Sequence, residues 1–416
     1  MTMFSCTTDL MRIKLAAGIC DNSEAPYIMK KQTWNGYLTT PLILFCIILL
    51  TGCGRGADPV QQEGEAVLIT LEEILRLGDE SAGDTILFGP IAQIAVTGDG
   101  DILVSEGQRS RRVHALAADG TYLSQVGGVG QGPGEYQYYI DGPFIGAADS
   151  VYLWASWPSQ ILVYDPENFS YVRSVHVEAD GPKSIDPVVN AIEDGWYMEM
   201  GLPTFLIPDD GPMTINDDRY SELIKVNRDG SYSTDPLGIV PDREVIPYML
   251  EGGGRVGFVG VPFARSPALA VGRDNMLYYG WNDAIEIAIV SADGSTRDTI
   301  RYEHDPVPIT DSEMDEASHE EDPDRQQLLA AREPHETKPA FQTFVVDGMN
   351  RVWIKLSSPE DATEAEWLIL SRESHAVGRT TLPIAVDLEV IRDGYAYGIH
   401  QGDGAAPMVV VYMIQE

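Results

Sequence analysis

Apolar and polar residues alternate along short runs from about residue 85 onward, and Asp-Gly pairs separate many of these runs. The first four runs are Ile91–Gly100, Asp101–Glu106, Arg111–Gly120 and Thr121–Gly128. Alternation with a period of two residues is typical of a half-buried β-strand, and Asp-Gly between two such runs favours a tight hairpin. The four runs therefore predict a small antiparallel sheet of four strands.

This four-strand unit recurs, with changes, along the rest of the chain. Further copies begin near Ile145, Ala191, Ala268, Phe344 and Leu388. A repeat of about 40 residues with four strands is typical of the blades of a β-propeller.

The sixth copy ends after its third strand, and an unpaired run at Glu65–Thr70 precedes the first copy. Pairing of the two would leave no exposed sheet edge. The sequence thus predicts an all-β fold over residues 65–416. The predicted fold is a six-bladed β-propeller of four-stranded antiparallel blades, with the N-terminal strand closing the last blade.

The glycine-rich stretch Gly127–Gln137, "GGVGQGPGEYQ", invites comparison with phosphate-binding loops. No Lys-Ser/Thr pair follows it, no G-x-G-x-x-G register fits it, and no helix pattern begins after it. Glycines also permit the positive φ angles that a tight crossing needs. We therefore expect this stretch to connect the outer strand of blade 1 to the inner strand of blade 2.

The repeats, with "GPGEY" at Gly132–Tyr136 and "KPAF" at Lys338–Phe341, resemble the bacterial six-bladed β-propeller lipoproteins related to NHL-repeat proteins. The resemblance covers residues 65–416. It implies the ring of six blades and implies no settled activity.

The N-terminal region has the composition of an export signal. A basic start at Met29–Lys31 precedes the apolar run Pro41–Leu50, and small residues follow it. The run is too short to span a bilayer comfortably as a helix. We expect residues 29–52 to be a signal peptide, residues 1–28 to be an over-extended start, and residues 53–64 to be a tether.

The sequence "LTGC" at Leu50–Cys53 resembles the lipobox of bacterial lipoproteins, in which the signal is cut before a cysteine that carries the lipid. Cys53 is that residue here; the alternative is a chance cysteine after an apolar run. All four cysteines lie at or before residue 53, so the remaining chain forms no disulfide. Gly54 stands where an aspartate would favour the inner membrane, so we expect an outer-membrane lipoprotein facing the periplasm or the cell surface.

The charge is strongly acidic, with 64 Asp and Glu against 28 Lys and Arg and a formal net charge of −36. Such a field repels phosphate backbones, which excludes nucleic acid as a partner. The simplest interpretation is a solvated acidic surface; a surface for cations or cationic partners is the alternative.

The two rims of the predicted ring differ. One rim, here the connector rim, holds the outer-to-inner connectors and the loops between second and third strands. The other, the turn rim, holds the tight Asp-Gly turns. Function concentrates on variable loops held by a rigid scaffold. The ligand-binding candidates are therefore on the connector rim: Glu135, Tyr136, Trp157, Trp281 and Lys338.

Aromatic rings with carboxylates nearby suit a glycan or peptide ligand. For Trp157 and Trp281, packing between blades is an equal alternative. We expect the other tryptophans of the repeats to pack, namely Trp154, Trp196, Trp353 and Trp367.

Three histidines of the connector rim, His304, His335 and His400, could hold a divalent metal together with Asp305, Glu336 or Asp403. They come from separate loops and no spacing links them, so solvated loop histidines are the alternative.

One connector, Thr310–Pro334, has a helical pattern with a capping box from Thr310 to Glu313. It forms either a lid over the channel or a solvated excursion.

These features leave three functions open: a lipid-anchored binding or scaffold module of the cell envelope, a metal-assisted hydrolase, lactonase or lyase, and a structural part of an envelope complex. No sequence motif of a hydrolase appears, so the enzyme hypothesis depends on the fold and the histidines. The binding module leads, with an envelope protein, glycan or peptide as partner.

Overall fold

Strands form where Val, Ile, Tyr and Trp alternate with polar residues, since branched and aromatic side chains pack well on a pleated surface. The computed structural model describes residues 66–79, 86–107, 111–156, 158–179, 183–201, 205–206, 214–215, 219–250, 256–320, 322–402 and 406–415. These ranges all lie in one unit, residues 60–416.

The first half of the ring follows the repeats closely. The chain enters through β1 (Val67–Leu68) and β2 (Thr70–Leu77). Blade 1 contains β3 (Ile91–Val96), β4 (Ile102–Glu106), β5 (Val113–Leu116) and β6 (Tyr122–Gln125). The connector to blade 2 contains β7 (Gly128–Val129) and β8 (Glu135–Tyr136). Blade 2 contains β9 (Ile140–Ile145), a 3₁₀ turn (Ala147–Asp149), β10 (Val151–Ser156), β11 (Ser159–Tyr164) and β12 (Tyr171–His176).

Blade 3 carries two insertions. Its four strands are β13 (Ser184–Ile192), β14 (Gly195–Gly201), β17 (Tyr220–Asn227) and β18 (Gly238–Pro241). Within the insertion between its second and third strands, β15 (Phe205–Leu206) pairs with β16 (Thr214–Ile215). The connector to blade 4 holds a hairpin of β19 (Val245–Met249) and β20 (Val256–Gly260), which the sequence analysis missed.

The second half contains the two helices of the described residues. Blade 4 contains β21 (Pro267–Val271), β22 (Leu277–Trp281), β23 (Ile285–Val290) and β24 (Arg297–Tyr302). Its connector holds α1 (Asp311–Ala317) and α2 (Pro323–Ala330). Blade 5 contains β25 (Phe341–Val346), β26 (Val352–Leu356), β27 (Glu364–Leu370) and β28 (Ala376–Pro383). Blade 6 contains β29 (Val386–Arg392), β30 (Tyr395–His400) and β31 (Met408–Gln415).

The first strands of the blades form the inner wall of a ring. β3 contacts β9, and the contacts continue through β13, β21, β25 and β29 and return to β3. One buried apolar cluster lies at each of the six blade interfaces. The chain is a six-bladed β-propeller, as the repeats predict.

The four tryptophans that were predicted to pack between blades do so. Trp154 and Trp196 lie in the cluster between blades 2 and 3, and Trp353 and Trp367 in the cluster between blades 5 and 6; all four are buried. Aromatic side chains of this size bury a large apolar area, so they stabilise the blade interfaces strongly.

The N-terminal strand closes the last blade, as predicted, but it is not the run Glu65–Thr70. β2 (Thr70–Leu77) pairs antiparallel with β31, from Thr70 opposite Gln415 to Leu77 opposite Val409. The preceding β1 pairs in parallel with the outer strand of blade 5, with Val67 opposite Gly378. The closing strand lies further along the chain because Leu71, Leu75 and Leu77, which are half-buried, pack against the clusters at the outer edge of blade 6.

The glycine-rich stretch connects blades 1 and 2, as predicted. Gly134 has a φ of 75°, and a Cβ there would lie 2.6 Å from the Cβ of Tyr171. Its carbonyl oxygen accepts a hydrogen bond of 2.8 Å from the hydroxyl of Tyr164. Gly134 is therefore required by the close passage of the connector over blade 2.

The capping box also forms as predicted. The Thr310 side chain accepts a hydrogen bond from the Glu313 amide, and Glu313 reaches back to the Thr310 amide. Pro323 occupies the first turn of α2, where its missing amide hydrogen costs nothing.

The closing strand supplies a matched pair of positions for a stability test. Leu75 packs against the cluster between blades 6 and 1, whereas its neighbour Ile74 is the exposed extra residue of a bulge in β2. We expect Leu75→Asp to lower the free energy of unfolding by about 2 kcal/mol or more, because it places a charge against an apolar core. Ile74→Asp should change it by less than about 0.5 kcal/mol. Urea unfolding of both variants measures the difference; equal effects would contradict this role of β2.

Candidate functional site

A buried arginine, which the sequence patterns did not reveal, joins two connectors of the connector rim. Arg265, which precedes β21, is 4% exposed. Its Nε donates to Asp283 Oδ1 at 2.7 Å, and its Nη2 donates to the carbonyl oxygen of Thr337 at 3.0 Å. Its backbone amide donates to Glu244 Oε2 at 2.8 Å. Arg265 thus links the connectors on both sides of blade 4.

Glu244 gathers the other side of this network. Its Oε1 accepts from Arg332 Nη2 at 2.8 Å, and its Oε2 lies 2.7 Å from Nε2 of His335. Burial acts to raise the pKa of Glu244, but the Arg265 amide, His335 and Arg332 lower it below its usual value. His335 therefore contacts a carboxylate that holds the helical connector in place.

The other two histidines proposed as metal ligands, His304 and His400, lie on different segments of this rim. His304 and His400 are half-buried, and Nδ1 of His400 is buried without a hydrogen-bond partner in the described residues. Within the part of the chain that the structure describes, no group of three or more His, Cys, Asp or Glu side chains could hold a metal ion. Asp403, one of the proposed acidic ligands, lies outside the described residues. The metal hypothesis stays a prediction.

Lys338 holds the first connector helix to blade 5. Its Nζ forms an ion pair with Glu313 of α1 and donates to the carbonyl oxygen of Ser358 at 2.7 Å. Only 10% of its side chain is exposed. The carboxylate that Lys338 meets is thus one of the protein's own.

Glu135 and Tyr136 serve the connector itself. Glu135 Oε2 accepts from the Gly132 amide at 2.7 Å. The Tyr136 ring is buried, its hydroxyl donates to the carbonyl oxygen of Arg111 at 2.9 Å, and burial raises the pKa of that hydroxyl to about 12. The ring of Tyr136 packs in the core cluster between blades 1 and 2 and has no surface for stacking on a ligand from solvent.

The exposed aromatics follow two residues later in the chain. Tyr138 is 53% exposed and Tyr139 is 54% exposed, immediately before β9 enters the channel wall. The Ser156 amide donates to the carbonyl oxygen of Tyr139 at 3.2 Å, and Arg111 donates to the carbonyl oxygen of Gln137. The backbone beneath both rings is thus held by bonds to β10 and to the loop before β5.

The structure describes one of the two tryptophans that were predicted to bind a ligand. Trp281 is half-buried at the end of β22, opposite Pro267. Trp157 lies outside the described residues, as does Cys53. Tyr138 and Tyr139 could not be picked out beforehand, because nothing in "EYQYY" separates buried from exposed tyrosines.

The wall of the channel is irregular. In five of the six blades the inner strand slips in register against the second strand; only the β21–β22 pair is regular. Bulges of this kind re-aim side chains. In blade 6 the extra residue is Glu389, between Leu388 and Val390.

Two acidic residues of the inner strands have raised pKa values. Burial raises the pKa of Glu389 to about 8, and the neighbouring Asp387 carboxylate adds to the rise. Burial also raises the pKa of Asp141 in β9. Both carboxyls of these inner strands therefore ionise less readily than in water.

The turn-rim end of the channel holds a cavity of about 330 Å³. It is lined by apolar residues at or next to the ends of five inner strands: Ile145, Ile192, Val271, Val346 and Ile391. Charged residues line it too, namely Asp149, Glu193, Asp347, Arg273 and Arg392, and both arginines contact Asp393.

Hydrogen bonds between blades hold the turn rim together. The Gly98 amide donates to Asp149 Oδ1 at 2.9 Å, and the Glu193 amide donates to Asn275 Oδ1 at 2.9 Å. Arg392 Nη1 donates to the carbonyl oxygen of Val96 at 2.7 Å, joining blade 6 to blade 1. This rim is accordingly tied from blade to blade.

The comparisons with known proteins agree with the fold. Residues 81–187, which contain blades 1 and 2, match the model of the DUF5128 family, described as a 6-bladed beta-propeller. No curated protein matches this chain.

Three solved structures illustrate the similarity. A protein of Bacteroides fragilis named as exported is 10% identical, covering 84% of this chain and 95% of its own, with a TM-score of 0.44. A member of the DUF4221 family from Bacteroides vulgatus is 9% identical over 84% of this chain and 98% of its own, with a TM-score of 0.47. A gluconolactonase from Xanthomonas campestris is 12% identical, covering 86% of this chain and 99% of its own, with a TM-score of 0.43. These likenesses bring no activity to this chain.

In the described part of the chain, no helix has the length and apolar character needed to cross a bilayer.

Proposed function

We propose that this protein is a lipid-anchored β-propeller of the cell envelope that acts as a binding module and takes a glycan or peptide at its connector rim. The observation that carries the proposal is the pair Tyr138 and Tyr139, both more than half exposed where the connector enters the channel wall.

The support for binding is geometric. A ligand that stacks on an aromatic ring gains most when the ring is already held in place, since ordering it afterwards costs free energy. The bonds from Ser156 and Arg111 hold the backbone beneath both tyrosines. Asp141 follows Tyr139 by two residues and is a polar group for ligand hydroxyls or amides.

The support for the anchor is the sequence that precedes the ring. The apolar run, "LTGC" and the polar tether together match a lipoprotein signal, with Cys53 as the lipidated residue. We propose that the protein is exported and lies at the outer membrane, facing the periplasm or the cell surface. The propeller would then present its rim to envelope glycans or proteins.

Substitution of the two tyrosines tests the binding site. On arrays of neutral oligosaccharides and short peptides, we expect the protein lacking residues 1–53 to bind one ligand class. Tyr138→Ala combined with Tyr139→Ala should weaken that binding about tenfold or more, since each aromatic contact contributes about 0.5–1.5 kcal/mol.

Tyr122→Ala is the matched control, because Tyr122 is also an exposed tyrosine but lies on the outer strand of blade 1. Equal loss of binding in this control, or no binding of the unaltered protein to either array, would contradict the proposal.

Replacement of single cysteines tests the anchor. In cells fed labelled palmitate, Cys53→Ser should abolish lipid incorporation, because the acceptor thiol is lost. Cys46→Ser, in the middle of the apolar run, should leave incorporation unchanged. Undiminished label in the Cys53→Ser protein would exclude Cys53 as the lipidated residue.

A further inference from the structure

Glu389 belongs to neither of the blade interfaces that β29 borders. In β29, Val386, Leu388 and Ile391 pack between blades 5 and 6, and Val390 packs against the cluster between blades 6 and 1. Glu389 belongs to neither cluster and is the extra residue of the bulge. A bulge redirects its extra side chain away from the regular alternation, so the carboxyl projects from the inner edge of the blade.

Among the described residues, no cation pairs with this carboxyl. Glu389 forms no hydrogen bond or ion pair with any described residue, and the neighbouring inner strands β3 and β25 contain only neutral side chains. On β30, the groups that can ionise are Tyr395, Tyr397 and His400. Asp387 is the one charge that acts on Glu389 within the described structure, and it is repulsive.

Lys355 does not neutralise Glu389, because its three donors are used elsewhere. Its Nζ donates to Asp387 Oδ1 at 2.7 Å and to the carbonyl oxygens of Ile384 and Val386 at 2.9 and 3.0 Å. Lys355 is 2% exposed, so this geometry is fixed by its surroundings. It pairs with Asp387 and holds the start of β29 in place.

The cavity at the turn rim reaches the strand that carries Glu389. Ile391 and Arg392 line this cavity, and Glu389 lies two residues before Ile391 on the same strand. At about 3.3 Å per residue, the backbone of Glu389 lies about 7 Å along the strand from that of Ile391. A slender chain of five or six atoms spans that distance.

We propose that the channel binds an alkylammonium group, which enters through the cavity at the turn rim and pairs with Glu389. The apolar ends of the inner strands suit the methylene chain, and the carboxyl suits the ammonium head. A metal ion requires several ligands, and the described residues provide no group of three or more. This site is separate from the tyrosines of the connector rim and does not depend on the lipid anchor.

The raised pKa of Glu389, about 8, couples binding to the release of a proton. Below that pKa the free protein carries a neutral carboxylic acid, which attracts an ammonium group weakly. Alkylamines stay protonated well above pH 9, so only the protein titrates. Affinity should therefore rise with pH and level off above about pH 8, changing about tenfold per pH unit at lower pH.

Calorimetric titration with n-pentylamine tests the inference, with n-pentanol as the uncharged probe. At pH 9 and moderate salt we expect the protein lacking residues 1–53 to bind pentylamine at one site and to bind pentanol at least tenfold more weakly. Glu389→Gln should lose pentylamine binding at every pH. It should remain folded, because a neutral amide avoids the cost of burying a charge.

Asp99→Asn is the matched control, since it removes one exposed negative charge from the same rim outside the cavity. It should keep the affinity and the pH dependence. Pentylamine binding that survives Glu389→Gln, equal binding of pentanol, or no binding at pH 9 would overturn the inference. Stoichiometric binding of zinc or calcium that Glu389→Gln abolishes, without binding of pentylamine, would replace it with a metal site.

Discussion

The antiparallel pairing of β2 with β31 is the constraint on which the rest of the structure depends. Without β2, the third strand of blade 6 would be an exposed edge, and Leu75 and Leu77 would be missing from the cluster between blades 6 and 1. That cluster is where the last blade meets the first, so its loss would open the ring. The cores at the other five interfaces each join blades that are already consecutive in the chain.

A closed ring gives the two rims different properties. On the turn rim, short loops bond directly to their neighbours, as Gly98 does to Asp149 and Arg392 does to Val96. On the connector rim, longer segments are fastened by single charged residues such as Arg265 and Lys338. The first rim keeps the channel mouth at a fixed width, and the second tolerates insertions such as α1 and α2. Both the proposed tyrosine site and the proposed channel site depend on this division.

Most of the fold could be predicted from the sequence, because its determinants are local. Period-two alternation and Asp-Gly turns locate the blades, and Thr310 with Glu313 locates the start of α1. The closing strand was misplaced by several residues because apolar runs on both sides of Thr70 fit a strand. Only the partner, β31, decides between them.

Little of the candidate site could be predicted, because it depends on contacts between residues far apart in the chain. His335 meets Glu244, 91 residues away, and Lys338 meets a carboxylate of the adjacent helix. The bulge at Glu389 is visible only once β29 is paired with β30. Tyr136 and Tyr138 look alike in the sequence, yet one is buried and the other exposed because the connector turns between them.

Amide hydrogen exchange of the folded protein tests the closed ring most directly. The account predicts that the bonded amides of Thr70–Leu77 exchange as slowly as those of Met408–Gln415, and that both strands lose protection together as denaturant is added. Fast exchange throughout Thr70–Leu77, with the strands of blade 6 still protected, would show that the ring is not closed by this strand.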